Sequence, residues 1–269
     1  MIFVCPKCMG KLNISGGSAV CGAGHSYDRS KHGYFNLLLS SSGGTHGDNA
    51  LMVEARRAFL DGGYYEPLAN AIADEARAYA KEGAVMLDAG CGEGYYTERV
   101  ARTFAEYPST RAAAFDISKD AAKRAAKRMP TCEVAVAGSY HMPVADSSID
   151  LIINTFSPLA LDEMRRALRP GGGFIMAIPG EDHLFGLKSA IYDTPYKNKV
   201  EDTRLEGFRL VSQKELKYTI KLNTDADIRA LFMMTPYAYR TGAEGRERVL
   251  SLSELETEAH FIILTYEKE

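Results

Sequence analysis

The stretch Met86-Leu-Asp-Ala-Gly-Cys-Gly-Glu-Gly94 is the clearest indication of fold class in this chain. It follows a short apolar run that is typical of a buried strand, and it precedes the helical pattern of residues 97–104. Gly90, Gly92 and Gly94 allow the backbone to turn sharply between the two elements and to approach a bound molecule closely. The stretch therefore predicts a strand, a glycine-rich turn and a helix, which together form a ligand-binding unit of α/β proteins.

Two acidic side chains in this stretch indicate which ligand it binds. A dinucleotide places its pyrophosphate at the helix N-terminus and is recognised through G-x-G-x-x-G spacing. Here Asp88 ends the strand and Glu93 lies within the turn, so both would repel a pyrophosphate. They suit a cationic ligand without phosphate, and S-adenosylmethionine carries a sulfonium and an ammonium group. We therefore predict that this cofactor contacts Asp88, Gly90, Gly92, Glu93 and Gly94.

An acid at the end of the next strand extends the predicted cofactor site. Asp116 lies 22 residues beyond Gly94, where a carboxylate accepts hydrogen bonds from ribose hydroxyls. As an alternative, Asp116 caps the helix that begins near Ser118, although Ser118 could serve as the cap instead. The segment Gly138-Ser139, after the third strand, is the predicted position of the adenine edge.

Further along the chain, short apolar runs alternate with amphipathic helical patterns. Strands separated by helices indicate βαβ units and a mostly parallel sheet, so the predicted fold class is α/β and Rossmann-like. Residues 169–173 are predicted to form a turn, and residues 186–213 an insertion without clean periodicity. The predicted strands are residues 84–88, 112–116, 133–137, 149–154, 174–178, 216–222 and 260–266.

The loop after the fourth strand, Asn154-Thr-Phe-Ser-Pro158, lies at the carboxyl end of the sheet, where ligands bind in this fold class. Phe156 can stack on a base, and Asn154 and Ser157 can hydrogen-bond its edge. These three residues are our candidates for substrate contacts. An ordinary strand-to-helix turn with a buried phenylalanine explains the same residues equally well.

Four potential metal ligands stand near the N-terminus with the spacing Cys5-x2-Cys8-x12-Cys21-x3-His25. Each half is a short knuckle that can turn two ligands toward one point, and three thiolates with one imidazole suit a tetrahedral zinc ion. Because four protein ligands leave no position for water, we predict a structural site with one Zn2+ per chain. A redox-active Cys-x-x-Cys pair is the alternative, but it requires a βαβ context that this region lacks.

The charge of the chain is unevenly distributed. The 269 residues suffice for one catalytic domain with a small accessory module, and the composition is that of a globular protein. Residues 1–47 hold four basic residues and one acid, or +3, while the remaining 28 of 32 basic and 34 of 35 acidic residues give −6. A basic module on an acidic domain suggests a polyanionic partner, although a solvated surface explains four basic residues nearly as well.

These motifs together resemble the RlmA-type family of guanine methyltransferases that act on large-subunit ribosomal RNA, and the resemblance covers nearly the whole chain. The zinc spacing joined to this glycine-rich loop is specific, whereas each half alone is not. The stretches that carry the resemblance are Phe3–Cys8, Cys21–Asp28, Lys31–Leu38, Ala55–Asp61, Leu87–Thr97, Pro179-Gly180 with His183-Leu184, and Met234–Pro236.

The resemblance implies a class I methyltransferase sheet of seven strands, an RNA-recognising zinc module and a homodimer. It implies methylation of the first ring nitrogen of a guanine in a hairpin loop of 23S rRNA near the peptide exit tunnel. Matching positions add Tyr65 and His183 as cofactor contacts, where the residues alone suggest a core aromatic and a helix-start residue. Residues 155–159 depart from the family's loop sequence, so the resemblance does not specify which guanine is methylated.

The chain divides by composition into three parts. We predict a zinc-binding RNA-recognition module over residues 1–39, a polar, glycine-rich linker over residues 40–50 and an S-adenosylmethionine-dependent methyltransferase domain over residues 51–269. No apolar run approaches the length of a membrane span, so no membrane contact is expected. Without a recognisable secretory leader, we expect the chain in the cytoplasm, where thiols stay reduced.

Three rival functions share some of these features. A small-molecule methyltransferase would have the same sheet but no evident need for the zinc module. A nicotinamide oxidoreductase is disfavoured by Asp88 and Glu93. A non-catalytic zinc RNA-binding protein does not need the combination of Gly90, Gly92, Glu93 and Asp116. No residue identifies itself as the base that would remove the proton from a guanine ring nitrogen.

Overall fold

A computed structural model describes residues 1–39, 47–200 and 202–269 of the protein. The strands are β1 (Leu12–Ser15), β2 (Ser18–Cys21), β3 (Ser26–Asp28), β4 (Phe35–Asn36), β5 (Val85–Ala89), β6 (Arg111–Asp116), β7 (Glu133–Val136), β8 (Ile149–Thr155), β9 (Leu168–Pro179), β10 (Phe208–Leu222) and β11 (Leu255–Lys268). The α-helices are α1 (Ala50–Asp61), α2 (Glu66–Ala76), α3 (Tyr95–Phe104), α4 (Lys119–Arg128), α5 (Leu161–Ala167), α6 (Phe185–Ile191), α7 (Asp225–Met234), α8 (Tyr237–Arg240) and α9 (Ala243–Leu250).

The main sheet confirms the predicted α/β class. Its order is β10-β11-β9-β8-β5-β6-β7-β4, with β4 to β9 parallel to one another and β11 antiparallel to both of its neighbours, β9 and β10. Strands β5 to β11 correspond in number to the seven strands that the resemblance implies, and β4 adds an eighth strand at one edge. All five residues of β5 are buried, because helices cover both faces of this central strand.

The position of β5 in the sheet also determines where a ligand can bind. Its neighbours are β6, the next strand in the chain, and β8, so the strand order reverses at this point. In open α/β sheets, a crevice forms outside the carboxyl ends of the strands where the order reverses. The glycine-rich loop of residues 90–94 lies at the carboxyl end of β5 and is therefore at the crevice.

The small antiparallel sheet β1-β2-β3 carries the metal-ligand knuckles and packs against the main sheet. The backbone N–H of Ile2 donates to both carboxylate oxygens of Glu133 at 2.9 and 2.8 Å, and β4 pairs in parallel with β7. Phe3 and Leu12 belong to the same apolar cluster as Phe115 in β6. The N-terminal segment therefore shares its core with the main sheet.

The predicted boundaries between module, linker and domain stay a prediction. Residues 40–46 of the linker lie outside the described residues. Asn49, which the prediction places in the linker, caps α1 by accepting a hydrogen bond of 3.0 Å from the backbone N–H of Met52. Because this helix begins at Ala50, regular structure resumes one residue before the predicted domain start.

One prediction about the second half of the sheet is wrong, and the predicted insertion that follows contains regular structure. Residues 169–173 form no separate turn but lie within β9. The register between β8 and β9 shifts here, because Ile149 pairs with Leu168 whereas Leu151 pairs with Gly173. The intervening residues bulge from the ladder, which their glycines permit. The predicted insertion over residues 186–213 contains most of α6 and the first residues of β10, both too short in that window to show a period.

No helix within the described ranges, 1–39, 47–200 and 202–269, has the length and apolar character needed to cross a membrane.

Candidate active site and metal centre

The structure brings the four predicted metal ligands together. Their ligand atoms lie within 4.8 Å of one another. Sγ of Cys8 is 3.7 Å from Sγ of Cys21, and Nδ1 of His25 is 3.4 Å from Sγ of both Cys5 and Cys21. Zn–S bonds of about 2.3 Å and Zn–N bonds of about 2.0 Å give tetrahedral edges of roughly 3.8 and 3.5 Å. The cluster therefore matches the dimensions of one tetrahedral zinc site.

The surroundings of Cys5 favour a thiolate ligand. Burial raises the pKa of the Cys5 thiol, but hydrogen bonds from the Tyr27 hydroxyl at 3.2 Å and from backbone N–H groups outweigh burial and give a pKa of about 6. Gly10 leaves room for the cluster, because a Cβ atom there would lie 3.3 Å from Sγ of Cys8. The donor set and the close backbone both fit a structural zinc ion.

The glycine-rich loop turns at the end of β5 as predicted. Gly90, Gly92 and Gly94 all have positive φ angles, of 88°, 55° and 90°. A Cβ atom on Gly90 would lie 2.4 Å from the side chain of Ser157, and one on Gly94 would lie 2.8 Å from Cε of Met129. At Gly92 a Cβ atom would meet nothing within 4 Å. Packing therefore requires glycine at position 90, the positive φ angles favour glycine at all three positions, and Gly92 borders open space.

Asp116 ties the second strand to this loop. One carboxylate oxygen accepts the backbone N–H of Gly92 at 2.9 Å, and the other accepts the backbone N–H of Ser118 at 2.7 Å. Ser118 is the N-cap of α4, because its hydroxyl accepts the backbone N–H of Ala121. The capping alternative for Asp116 is therefore wrong. Each carboxylate oxygen keeps capacity for a further donor, as a ribose contact requires.

The two acids of the loop have different surroundings. Burial raises the pKa of Asp88 to about 7, with the hydrogen bond from the Thr97 hydroxyl lowering it and the charge of Asp116 raising it. Glu93 accepts a hydrogen bond of 3.0 Å from Nε of Arg128, and Nη2 of that guanidinium lies 2.8 Å from the same carboxylate oxygen as an ion pair. Within the described part of the chain, one carboxylate oxygen of Asp88 and one of Glu93 are buried without a hydrogen-bond partner. Both acids therefore retain an acceptor for a donor from outside the protein.

The predicted substrate loop divides into an anchoring part and an exposed part. Asn154 is buried, and its amide donates to the hydroxyl of Ser157 at 2.6 Å and to the carbonyl of Ala89 at 3.3 Å. Ser157 also donates to the carbonyl of Ala89, at 2.6 Å. Phe156 has a φ angle of 58° and is 46% exposed. The two polar residues thus fix the loop to β5, and the phenylalanine is presented in a conformation that is costly for a non-glycine residue.

Tyr65 and His183, which are 118 residues apart, meet in the structure. The Tyr65 hydroxyl is 3.3 Å from Nε2 of His183. The ring of Phe156 stacks on that of His183, with 6.4 Å between the ring centroids and an angle of 20° between the ring planes. The backbone N–H of His260 donates to Nδ1 of His183 at 3.3 Å. A neutral His183 therefore carries its proton on Nε2 and donates it to Tyr65.

The protonation of this pair is fixed by its burial. Burial first, and then the charges of Lys188 and His260, lower the pKa of His183 to about 3. Burial also raises the pKa of Tyr65 well above its ordinary value. Both side chains are therefore neutral at pH 7, and the pair forms an aromatic wall without charge.

These groups surround one cavity of about 1070 Å³ at the carboxyl ends of the strands. Every predicted cofactor residue except Gly94 borders the cavity, as do Phe156 and Ser157, whereas Asn154 does not. Pockets for a single small ligand are typically about 300–1,000 Å³. The cavity is therefore large enough for a cofactor together with part of a second molecule.

Known proteins share both halves of this chain. A family model described as the N-terminal region of RlmA, a zinc ribbon, matches residues 3–40, and a methyltransferase-domain model matches residues 86–172. The 23S rRNA (guanine(748)-N(1))-methyltransferase of Streptomyces fradiae is 34% identical over 236 residues, covering 85% of this chain and 83% of that protein. YxjB of Bacillus subtilis, provisionally assigned as a 23S rRNA (guanine-N(1)-)-methyltransferase, is 30% identical over 267 residues, covering 95% of this chain and 92% of YxjB.

The chain belongs to the RlmA family of 23S rRNA guanine-N1 methyltransferases. A solved structure from Anaeromyxobacter dehalogenans, provisionally described as a type II methyltransferase, aligns with a TM-score of 0.51 and 21% identity over 74% of this chain and 95% of that chain. That likeness supports the fold alone. Membership in the RlmA family makes the chain an S-adenosylmethionine-dependent methyltransferase with a structural zinc ion, and the Cys3His cluster agrees with that assignment.

The RlmA-type cavity also has walls that sequence reasoning missed. Leu37–Leu39, directly after β4, border it, so the zinc module contributes to the site. Tyr196, Tyr237 and Arg240 also border it. A two-residue strand and a four-residue helix show no period, so the sequence offers no signal for them. The exposed Tyr140 borders the cavity beside the predicted adenine position.

Proposed function

We propose that this RlmA-type enzyme transfers the methyl group of S-adenosylmethionine to N1 of a guanine in a hairpin loop of 23S rRNA. The observation that carries the proposal is the single cavity that joins the glycine-rich loop to the half-exposed ring of Phe156. One end offers buried carboxylate oxygens and open backbone for the cofactor. The other end offers aromatic surface for a base.

The cofactor end would use groups already described. Asp116 would accept hydrogen bonds from the ribose hydroxyls while it holds the N–H of Gly92. The partnerless buried oxygens of Asp88 and Glu93 would attract a ligand with positive charge. S-adenosylmethionine supplies the electrophilic methyl group.

At the substrate end, the protein would act mainly by positioning. Methyl transfer requires the guanine edge in line with, and about 3 Å from, the methyl group, and such orientation can account for much of the acceleration. Tyr65 and His183 would shape the wall against which the base rests. Neither is a suitable general base, because His183 has a pKa of about 3 and the pKa of Tyr65 is well above its ordinary value.

A basic surface that crosses from the zinc module to α4 supports an RNA substrate. The pKa of His32 is lowered by partial burial and then by the positive charges of Lys123, Lys127 and Lys31. The loop that carries His32 lies against α4, since a Cβ atom on Gly33 would be 3.7 Å from Cβ of Ala126. RNA phosphates would bind such a surface in a salt-dependent manner.

The resemblance to the family also underlies two further proposals, a homodimer and a cytoplasmic location. The oligomeric state is tested by analytical ultracentrifugation of the full chain at several concentrations. A species of one-chain mass at every concentration would overturn the dimer. The location is tested by fractionation of cells that express the protein at its natural level.

The decisive experiment is methylation of a synthetic 23S rRNA hairpin with radiolabelled S-adenosylmethionine. We expect label in the RNA and, after digestion, a single N1-methylguanosine identified by mass spectrometry. Methylation at N1 also blocks the Watson–Crick edge, so reverse transcription should stop at the modified position. A hairpin with inosine in place of the target guanine retains N1 and separates recognition of the exocyclic amine from the chemistry. Labelling of small molecules but not of any rRNA fragment would favour the small-molecule alternative.

A further inference from the structure

A lysine is buried beside the substrate end of the cavity. Lys188, in α6, has no exposed surface, and within the described part of the chain no carboxylate lies within ion-pair distance of it. Its ammonium group donates to Oδ1 of Asn198 at 2.6 Å and to the backbone carbonyl of Tyr196 at 3.1 Å. A buried charge without an opposite charge is unfavourable for folding. Its polar contacts therefore indicate what the lysine does.

Those contacts hold residues 196–198 against the loop that carries His183. The amide of Asn198 donates to the carbonyl of Gly180 at 2.8 Å and to the carbonyl of His183 at 3.3 Å. The backbone N–H of Asn198 donates to the carbonyl of Glu181 at 2.8 Å. Lys188 thus completes a hydrogen-bond network that fixes the segment at the cavity wall.

Tyr196 is the side chain that this network presents to the cavity. The ammonium nitrogen of Lys188 lies 4.5 Å from the centroid of its ring, as a cation–π contact. The ring is nevertheless 54% exposed and borders the cavity. A large aromatic ring held by a buried cation, with half of its surface open, is suited to stack on a flat ligand.

We infer that Tyr196 stacks on a purine base of the RNA substrate and that Lys188 is the positioning residue that holds its ring in place. The inference rests on the proposed function and adds a base-binding group to the cavity that the cofactor loop also borders. Stacking of a base on an aromatic side chain contributes about 1–3 kcal/mol, or roughly 5- to 150-fold in affinity.

The chain contains no tryptophan, which allows a direct test. In Tyr196→Trp, the introduced indole is the sole tryptophan, and a guanine that stacks on it quenches its fluorescence. The matched control is Tyr239→Trp, because Tyr239 is 49% exposed on the neighbouring α8 but does not border the cavity. We expect the hairpin to quench the indole at position 196 and to leave the indole at position 239 unchanged. Equal quenching at both positions, or none at 196, would overturn the inference.

Kinetics test the two roles separately. For Tyr196→Ala we expect KM for the hairpin to rise about 10-fold, with unchanged affinity for S-adenosylmethionine, and for Tyr196→Phe near-normal KM. Lys188→Met should raise KM and weaken the quenching of the Tyr196→Trp indole, and Lys188→Arg should restore part of both.

If Lys188→Met lowers only Tm, the lysine is structural. If the wild type methylates the hairpin and Tyr196→Ala keeps its KM, this inference fails while the proposed function stands. If the wild type methylates no hairpin, the proposed function itself fails.

Discussion

The zinc module and the cofactor crevice use the same kind of local structure but depend on different sources of stability. In both, glycine turns bring ligand-binding groups together from a short stretch of sequence. The cofactor loop stands on β5, a strand buried along its whole length in the main core. The knuckles around Cys5 and Cys21 stand on short strands with mixed burial. The crevice is therefore preformed by packing, whereas the module depends on its metal.

The zinc module and the cofactor crevice are also joined. Phe3, Leu12 and Leu37 contribute to the core of the main sheet, and residues 37–39 border the cavity. Deletion of residues 1–39 would therefore expose the edge of β7 and part of the core. Point substitutions are the better way to separate the roles of the two regions.

The largest expected effect follows from removing the metal. Cys21→Ala should lose zinc and unfold the module, with a local cost on the order of 10 kcal/mol, while the crevice continues to bind S-adenosylmethionine with an affinity reduced a few-fold through residues 37–39. Elemental analysis and calorimetry measure the two effects, with Cys132→Ala, outside the cluster, as the control. Full zinc occupancy in Cys21→Ala would contradict the metal assignment. Complete loss of cofactor binding would contradict the idea of a preformed crevice.

The second effect concerns the free-energy cost of ionising the buried carboxyl group of Asp88 in the crevice. In the folded protein Asp88 has a pKa raised to about 7, so it binds a proton that the unfolded chain releases above about pH 4. Its contribution to stability is therefore lost as the pH rises from about 4 to about 7. Asp88→Asn removes this dependence and should stabilise the cofactor-free protein at pH 8, by up to about 4 kcal/mol, but not at pH 4.

Thermal unfolding at pH 4, 6 and 8 measures this difference. Asp162→Asn is the control, since the Asp162 side chain is 90% exposed. A constant difference in Tm between wild type and Asp88→Asn across this range would show that Asp88 is ionised in the folded protein throughout.

The third effect tests the ribose contact. Asp116→Ala should weaken binding of S-adenosylmethionine by about 1–3 kcal/mol, because hydroxyl groups lose a charged acceptor and the N–H of Gly92 loses its partner. Ser118→Ala is a matched control, since it removes the cap of α4, at about 1 kcal/mol of stability, without removing a carboxylate from the cavity. Calorimetry should separate the two variants, and equal affinities would argue against the ribose contact.

The parts of the molecule that could be predicted are those whose residues are close in sequence. The zinc ligands lie within residues 5–25, and the cofactor loop lies within residues 88–94. The turn-forming glycines and the types of the ligand residues therefore sufficed to predict both sites. The α/β class was predicted from the alternation of apolar runs with helical patterns. Asn154 shows the limit of this reasoning, because its residue type suited a base edge but its amide anchors the loop to Ala89.

The substrate wall could not be predicted from the residues alone. Tyr65, Phe156, His183 and Tyr196 come from four separate segments, and only the folded sheet brings them together. The resemblance to the family supplied Tyr65 and His183. Lys188 carried no signal, because an isolated lysine in a short helix is usually solvated. Its ammonium group lies over the rings of Tyr196, in the aperiodic segment after α6, and of Tyr237, which is distant in sequence.

The smallest expected effect tests whether the two regions share one RNA surface. Lys127, on α4 of the catalytic domain, and Lys31, in the module, both act on His32. If RNA phosphates contact both, Lys127→Glu and Lys31→Glu should each weaken hairpin binding a few-fold and lower the dependence of log affinity on log salt by about one. Lys221→Glu is the control, because Lys221 is an exposed lysine on β10, at the opposite edge of the sheet. Affinity for S-adenosylmethionine, bound within the cavity, should remain the same in all three variants. If Lys31→Glu weakens hairpin binding and Lys127→Glu does not, RNA recognition is confined to the zinc module, and the catalytic domain contributes no phosphate contact on α4.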